Sequence, residues 1–163
     1  MLIIADKLRD LSFSSLMEVY YEGNLEKARE DWEDHPLPFA IQQAEQDFYL
    51  YLRDVFFKTP DVCYGVWAEG GRYISALRLE PYQDGFLLEA LETNPQYRRM
   101  GYATKLVKAV LKEYPGRKIY AHIHKKNTAS IKTHHACGFS KILDYAVYID
   151  GSVNQRACTF LYE

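Results

Sequence analysis

EALETNPQYRRMGYATKLVKAV, residues 89–110, is the stretch from which the fold of this chain is read. It continues an apolar run, Phe86-Leu87-Leu88, that ends near Leu91 and Thr93. Asn94-Pro95 punctuates a short loop, and a basic turn with one glycine follows, Arg98-Arg99-Met100-Gly101-Tyr102-Ala103. Beyond it Ala103, Leu106, Val107, Val110, Leu111 and Tyr114 recur at helical spacing, and Pro115-Gly116 stops the pattern. Strand, basic turn and helix start, in that order, make an anion site. The first amides of a helix have no internal partner and lie at its positive end. Gly101 and Ala103 leave room for a phosphate to approach the backbone. The turn lacks the Lys-Ser/Thr of a Walker loop and the three glycines of a dinucleotide fingerprint.

Working outward, Leu2–Ala5 reads as a strand, and 14–30 as helix in one or two pieces with a break at Gly23-Asn24. His35-Pro36-Leu37-Pro38 is a breaker. A longer helix over 39–57 carries Ile41, Ala44, Phe48, Leu52 and Phe56 on one face, with more rings than a core stripe needs. Strands at 62–68 and 73–79 join through Glu69-Gly70-Gly71-Arg72, a hairpin signal. After the 103–114 helix, a strand at 118–124 completes a right-handed crossover with parallel neighbours. Asn127 caps a second helix that ends before Gly138. Two last strands, about 139–149 and 153–162, meet at Asp150-Gly151. The expectation is one α/β domain, 1–163: a mixed, mostly antiparallel twisted sheet with one parallel pair, flanked by about four helices.

Composition narrows the function. Of 163 residues 48% are apolar, which excludes a disordered chain, and a formal charge of −2 speaks against a nucleic-acid backbone as the main partner. Fourteen tyrosines suggest aromatic-lined clefts. Three scattered cysteines fit neither a disulfide framework nor a zinc site, and point to a reducing cytosol. No apolar run reaches membrane-spanning length, and Asp6 comes too early for a secretory signal. A cytoplasmic protein, monomer or homodimer, with no membrane or nucleic-acid partner, is expected.

The turn resembles the pyrophosphate loop of the GNAT superfamily, the acetyl-coenzyme A dependent N-acetyltransferases, which reads Arg/Gln-x-x-Gly-x-Gly/Ala; Arg98, Gly101 and Ala103 fit it. The element order resembles that family along nearly the whole chain, but motifs match only over roughly 62–139. Residues 127–139, NTASIKTHHACGF, resemble its second motif through Asn127, Ser130, Ile131, Gly138 and Phe139. The departure is His134, where the family places a tyrosine near the coenzyme sulfur as a candidate general acid. The resemblance implies acetyl-coenzyme A as co-substrate, with no metal. Its pyrophosphate would lie on Arg98, Arg99, Met100, Gly101, Tyr102, Ala103 and Thr104. Its pantetheine arm would pair with the backbone at Leu91 and Thr93, and Asn127 and Ser130 would border the same cleft. The acceptor would be a small-molecule or peptide amine.

An alkyl amine with a pKa of about 10 is protonated near neutrality and needs a base before it can attack an acyl carbon. Glu89 matches the proposed base of several polyamine-acetylating relatives, and is equally read as a solvated strand glutamate. Strict alternation puts it on the face of Leu91 and Thr93, with Glu92 opposite, unless a bulge intervenes. His122 matches a base position in other members of the family and is the second candidate. His134, on the helical face of Asn127 and Ser130, would assist the departing thiolate or serve only as a surface residue. A zinc site on His122 and His124 lacks a third and fourth ligand. Lys125 reads as solvated, Lys126 as solvated or phosphate-facing. A non-catalytic acyl-coenzyme A binding domain is the rival reading, supported by the missing tyrosine. The segment 16–57 should shape the acceptor pocket. Its acidic run of Glu30, Asp31, Glu33 and Asp34 would favour a cation or merely solvate a helix end.

Overall fold

The computed structural model describes residues 1–163. In chain order the elements are β1 (Leu2–Ala5), α1 (Phe13–Val19), α2 (Tyr21–Asp31), α3 (Leu37–Asp54), β2 (Cys63–Glu69), β3 (Arg72–Tyr82), β4 (Gly85–Thr93), α4 (Tyr102–Glu113), β5 (Ile119–His124), α5 (Thr128–Ala136), β6 (Ser140–Leu143), β7 (Ala146–Val147), β8 (Val153–Asn154) and β9 (Ala157–Tyr162). Seven strands form one sheet in the order β1-β2-β3-β4-β5-β9-β6, and β7 with β8 makes a small ribbon. Only β4 and β5 are parallel; every other pair is antiparallel. No helix is long and apolar enough to cross a membrane.

There are five helices, because the 14–30 stretch breaks at Tyr20. The expected break at Gly23-Asn24 lies inside α2. Asn24 is buried there and donates through Nδ2 to the Met17 sulfur at 3.3 Å. α4 lays Leu106, Val107, Val110 and Leu111 on one sheet face, against Leu77, Leu79, Phe86 and Leu88. The other face packs Leu16, Val19 and Tyr20 of the N-terminal helices, with Leu52 and Phe56, against Tyr64, Val66 and Ala76. A continuous core on both faces is what a nearly unbroken apolar run such as Phe86-Leu87-Leu88 requires.

Two backbone features place the site. At Gly85 a Cβ would lie 2.1 Å from the Lys118 carbonyl oxygen, so only glycine lets β4 start beside β5. The parallel register then holds from Phe86↔Ile119 to Leu88↔Ala121 and stops. The cause is a bulge in β4. Arg78 opposes Glu89 and Ala76 opposes Glu92, so Leu77 faces two residues, Ala90 and Leu91. Ala90 takes a left-handed φ of 51° to fit the extra residue. Past Leu88 the strands diverge, and the β5-facing edge of residues 89–93 has no strand partner.

Candidate active site

Arg99 (φ 60°) and Gly101 (φ 81°) turn the chain from β4 into α4. No side chain caps the helix at Gly101, and the first helical amide bond runs from Lys105 to the Gly101 carbonyl at 3.0 Å. The amides of Tyr102, Ala103 and Thr104 therefore face outward without helical partners. A Cβ at Gly101 would meet no heavy atom within 4 Å, so the space above the turn is open. It opens into a cleft of about 560 Å³ whose walls include Leu91, Thr93, Arg98, Arg99, Gly101, Tyr102, Ala103, Thr104, Asn127 and Ser130. Asn127 caps α5, its Oδ1 accepting from the Ser130 amide at 3.1 Å. Of the residues expected around the coenzyme, Met100 alone is not in this wall; its side chain projects into solvent. The Arg98 guanidinium is engaged elsewhere, with Glu22, Glu92 and the Thr93 carbonyl. Arg99 is exposed and in no ion pair.

The bulge corrects the facing of Glu89. The extra residue restores the phase of β4, so Glu89 and Glu92 share the face of Arg78 and Ala76, while Leu91 packs into the α4-side core. Glu89 thus lies across the strand from Leu91 and Thr93, not beside them. It borders two cavities. One, about 250 Å³, joins it to Leu88, His122, His124, Tyr148 and Asn154. The other, about 700 Å³, joins it to Tyr51, Glu80, Tyr148 and Asp150. Both candidate bases therefore border the 250 Å³ cavity, where β4 and β5 part.

His122 is half-buried, and neither ring nitrogen has a hydrogen-bond partner. Tyr82 and Tyr148 present their rings to it edge-on at 5.3 and 5.6 Å. Burial lowers its pKa, which favours the neutral ring that a base must be. His134, expected either to serve the departing thiolate or to be a surface residue, is buried. It is 2% exposed, enclosed by Phe139, whose ring crosses it at 5.0 Å, and belongs to neither the cleft above the Gly101 turn nor the Glu89 cavities. The tight turn at Gly138 folds Phe139 back over the ring. His135 is exposed. Lys125 pairs with Asp144 at 3.1 Å, and Lys126 is exposed. Glu30, Asp31, Glu33 and Asp34 are exposed and line neither Glu89 cavity.

Sequence reading missed Arg78, Glu80 and Tyr148. Arg78 is mostly buried, its Nε 3.7 Å from Glu89 Oε1. Tyr148, on the β7–β8 ribbon, borders both Glu89 cavities and accepts at its hydroxyl from Asn154 Nδ2 at 2.6 Å. The high tyrosine count was the one sequence signal for Tyr148; Arg78 and Glu80 had none, and of the α3 rings Tyr51 borders the larger cavity.

The family model described as acetyltransferase (GNAT) family matches residues 17–139. No curated protein sequence matches the chain. Among solved structures, the ribosomal-protein-S18-alanine N-acetyltransferase of Escherichia coli superposes with a TM-score of 0.60 at 15% identity, over 99% of this chain and 92% of that one. The PaiA N-acetyltransferase of Thermoplasma acidophilum, solved with coenzyme A, gives 0.60 at 12% identity, over 100% and 99%. A spermidine N-acetyltransferase chimera from Vibrio cholerae gives 0.58 at 16% identity, over 99% and 94%. At these identities the likeness is one of fold.

Proposed function

The chain belongs to the acetyltransferase (GNAT) family, and from that premise we propose that it moves the acetyl group of acetyl-coenzyme A onto a primary amine of a small molecule or peptide, in one ternary complex. The observation that carries this reading is the parting of β4 and β5 between an open anion turn and a cavity bordered by both Glu89 and His122. The pyrophosphate sits on the amides of residues 102–104, with the Arg99 charge beside it. The pantetheine arm follows the unpaired edge of β4 past Thr93 and Leu91. This delivers the thioester to the point where the strands separate.

The acceptor enters from the side of Tyr51 and Tyr148 as an ammonium. Glu89, or His122 across the smaller cavity, takes its proton directly or through water, and the free amine attacks the thioester carbonyl. The tetrahedral intermediate collapses with loss of the thiolate, whose pKa of about 8.5 makes it a tolerable leaving group without strong acid assistance, and the second proton shed by the nitrogen passes through water to that sulfur.

The test is turnover of acetyl-coenzyme A against a broad panel of amines and peptide N-termini. At least one acceptor is expected to be acetylated, and Gly101→Glu is expected to abolish coenzyme binding in calorimetric titration. A side chain at residue 101 meets no protein atom but is strained at a φ of 81°, so lost binding there reports on the turn's left-handed conformation and the ligand's space together. Glu89→Gln is expected to slow turnover about 10²-fold with coenzyme affinity little changed, a common scale for losing a general base. Coenzyme binding without turnover on any acceptor favours the non-catalytic acyl-coenzyme A binding reading. Full activity of Glu89→Gln passes the base role to His122 or water.

A further inference from the structure

Across the 700 Å³ cavity β3 and β4 set a short polar ladder. Arg78 stands opposite Glu89 and Glu80 opposite Leu87, so Glu80 and Glu89 are diagonal neighbours on one face. Both carboxyls line the same cavity. The Arg78 guanidinium lies over the rings of Tyr51 and Phe56 at 5.1 and 5.4 Å. Its Nε is 3.7 Å from Glu89 Oε1, too far for a hydrogen bond, and both atoms are buried without another partner. Two carboxyls that border one pocket as diagonal neighbours do not both ionise readily, and such a pair keeps one proton between them. A fixed cation beside one of them decides which keeps the charge.

We propose that Glu80 is a positioning residue for acetyl transfer: it holds the one proton of the Glu80–Glu89 pair, with Arg78 set beside the Glu89 carboxyl. This rests on the reading of Glu89 as the base. Burial first, and then the charge of Glu89, raise the Glu80 carboxyl to about 7, against the pull of Arg78. The other groups facing it are Tyr51 from α3 and Tyr148 and Asp150 from the segment around the β7–β8 ribbon. Burial raises the Tyr51 hydroxyl, so it stays neutral, and hydrogen bonds from Ser152 hold the Asp150 carboxyl low, so it stays charged. Glu80 is therefore the group here raised into the neutral range. Once it ionises, the cavity carries an added negative charge and holds an arriving ammonium more strongly beside Glu89. A rise in kcat/KM through neutral pH follows, beyond the rise due to the amine itself.

The experiment follows glutamate side-chain carboxyl carbons by NMR in the full chain, free of ligand, alongside kcat/KM against pH. In the parent one carboxyl is expected to titrate near neutrality. That signal is expected to vanish in Glu80→Gln, and to move below about 6 in Glu89→Gln as the neighbouring charge is removed. Glu80→Gln, isosteric with the protonated acid, is expected to lose the neutral-range rise in kcat/KM. The absence of any glutamate carboxyl titrating above about 6 overturns the proposal, as does a neutral-range signal that survives in Glu80→Gln. If the NMR shifts appear as expected while Glu89→Gln keeps full activity, the shared proton stands and the base assignment falls.

Discussion

The hydroxyl of Tyr20, at the break between α1 and α2, donates to the main-chain oxygen of Ala90, the bulge residue of β4, at 2.8 Å. The Tyr64 hydroxyl in turn donates to that of Tyr20 at 3.3 Å. Burial raises both phenols, Tyr64 to about 12 and Tyr20 well above its usual value, so both remain neutral donors. A helix break 70 residues upstream thus holds the carbonyl of the one left-handed residue in β4, and with it the face on which Glu89 projects.

Tyr20→Phe keeps the ring and removes the donor. It leaves the part-buried carbonyl of Ala90 without this donor, which costs about 1 kcal/mol. The expected outcome is a lower denaturant midpoint, and a loss of acetyl transfer that persists where the variant is fully folded. Tyr64→Phe leaves the Ala90 bond intact and is expected to cost less. A Tyr20→Phe protein as stable as the parent would show that the bulge holds itself.

What sequence reading captured was local. The turn at Arg99–Gly101, the α5 cap and the hairpin at Gly70-Gly71 each depend on residues within a few positions of one another, so their conformations are written contiguously. The mixed sheet, its parallel pair and the family followed from the order of such pieces. The bulge was not legible, because Ala90 at φ 51° carries no signature that glycine or asparagine would have supplied. Strict alternation therefore placed Glu89 on the wrong face. Glu80 and Arg78 join the site only through the register of β3 on β4, and Tyr148 only through the ribbon that brings it over His122. Residues 139–149 were read as one strand. They divide at Asp144, which turns out to pair with Lys125 and Lys141.

The two arginines of the turn are expected to behave differently. Arg98 spans Glu22 and Glu92 with its side chain 40% exposed, and such pairs contribute about 0–1 kcal/mol. Its guanidinium is already engaged by Glu22, Glu92 and the Thr93 carbonyl, so Arg98→Met should change coenzyme A affinity by less than about threefold. Arg99 is free to meet a phosphate, and a charge-assisted bond of about 1.5 kcal/mol makes Arg99→Met about tenfold weaker. Calorimetric titration of both variants checks the order. A larger loss in Arg98→Met would mean that its ion pairs open when the coenzyme binds.

The last expectation concerns His134. Its Nδ1 lies 2.8 Å from the Ser130 carbonyl oxygen, which can only accept, so Nδ1 carries the hydrogen. In the neutral ring Nε2 is then a bare acceptor, and it is buried without a partner. Burial lowers the pKa of the ring, outweighing the pull of Ser130 in the other direction. A neutral imidazole of this tautomer has no proton at Nε2 to give a departing thiolate, and the role that a tyrosine would fill is empty at neutral pH. His134→Phe is therefore expected to keep the shape of the parent's rate profile above about pH 7. His134→Tyr is expected to equal or exceed the parent there. The same burial sets a stability signature. The folded pKa lies below the unfolded value of about 6.5, so the unfolded chain binds more protons between the two. Stability is complete above about 6.5 and is lost as pH falls through the folded value. Denaturant midpoints at pH 7.5 and 5.5 should fall further in the parent than in His134→Phe, with His122 contributing equally to both. Equal drops would show that His134 titrates alike in the folded and unfolded chain.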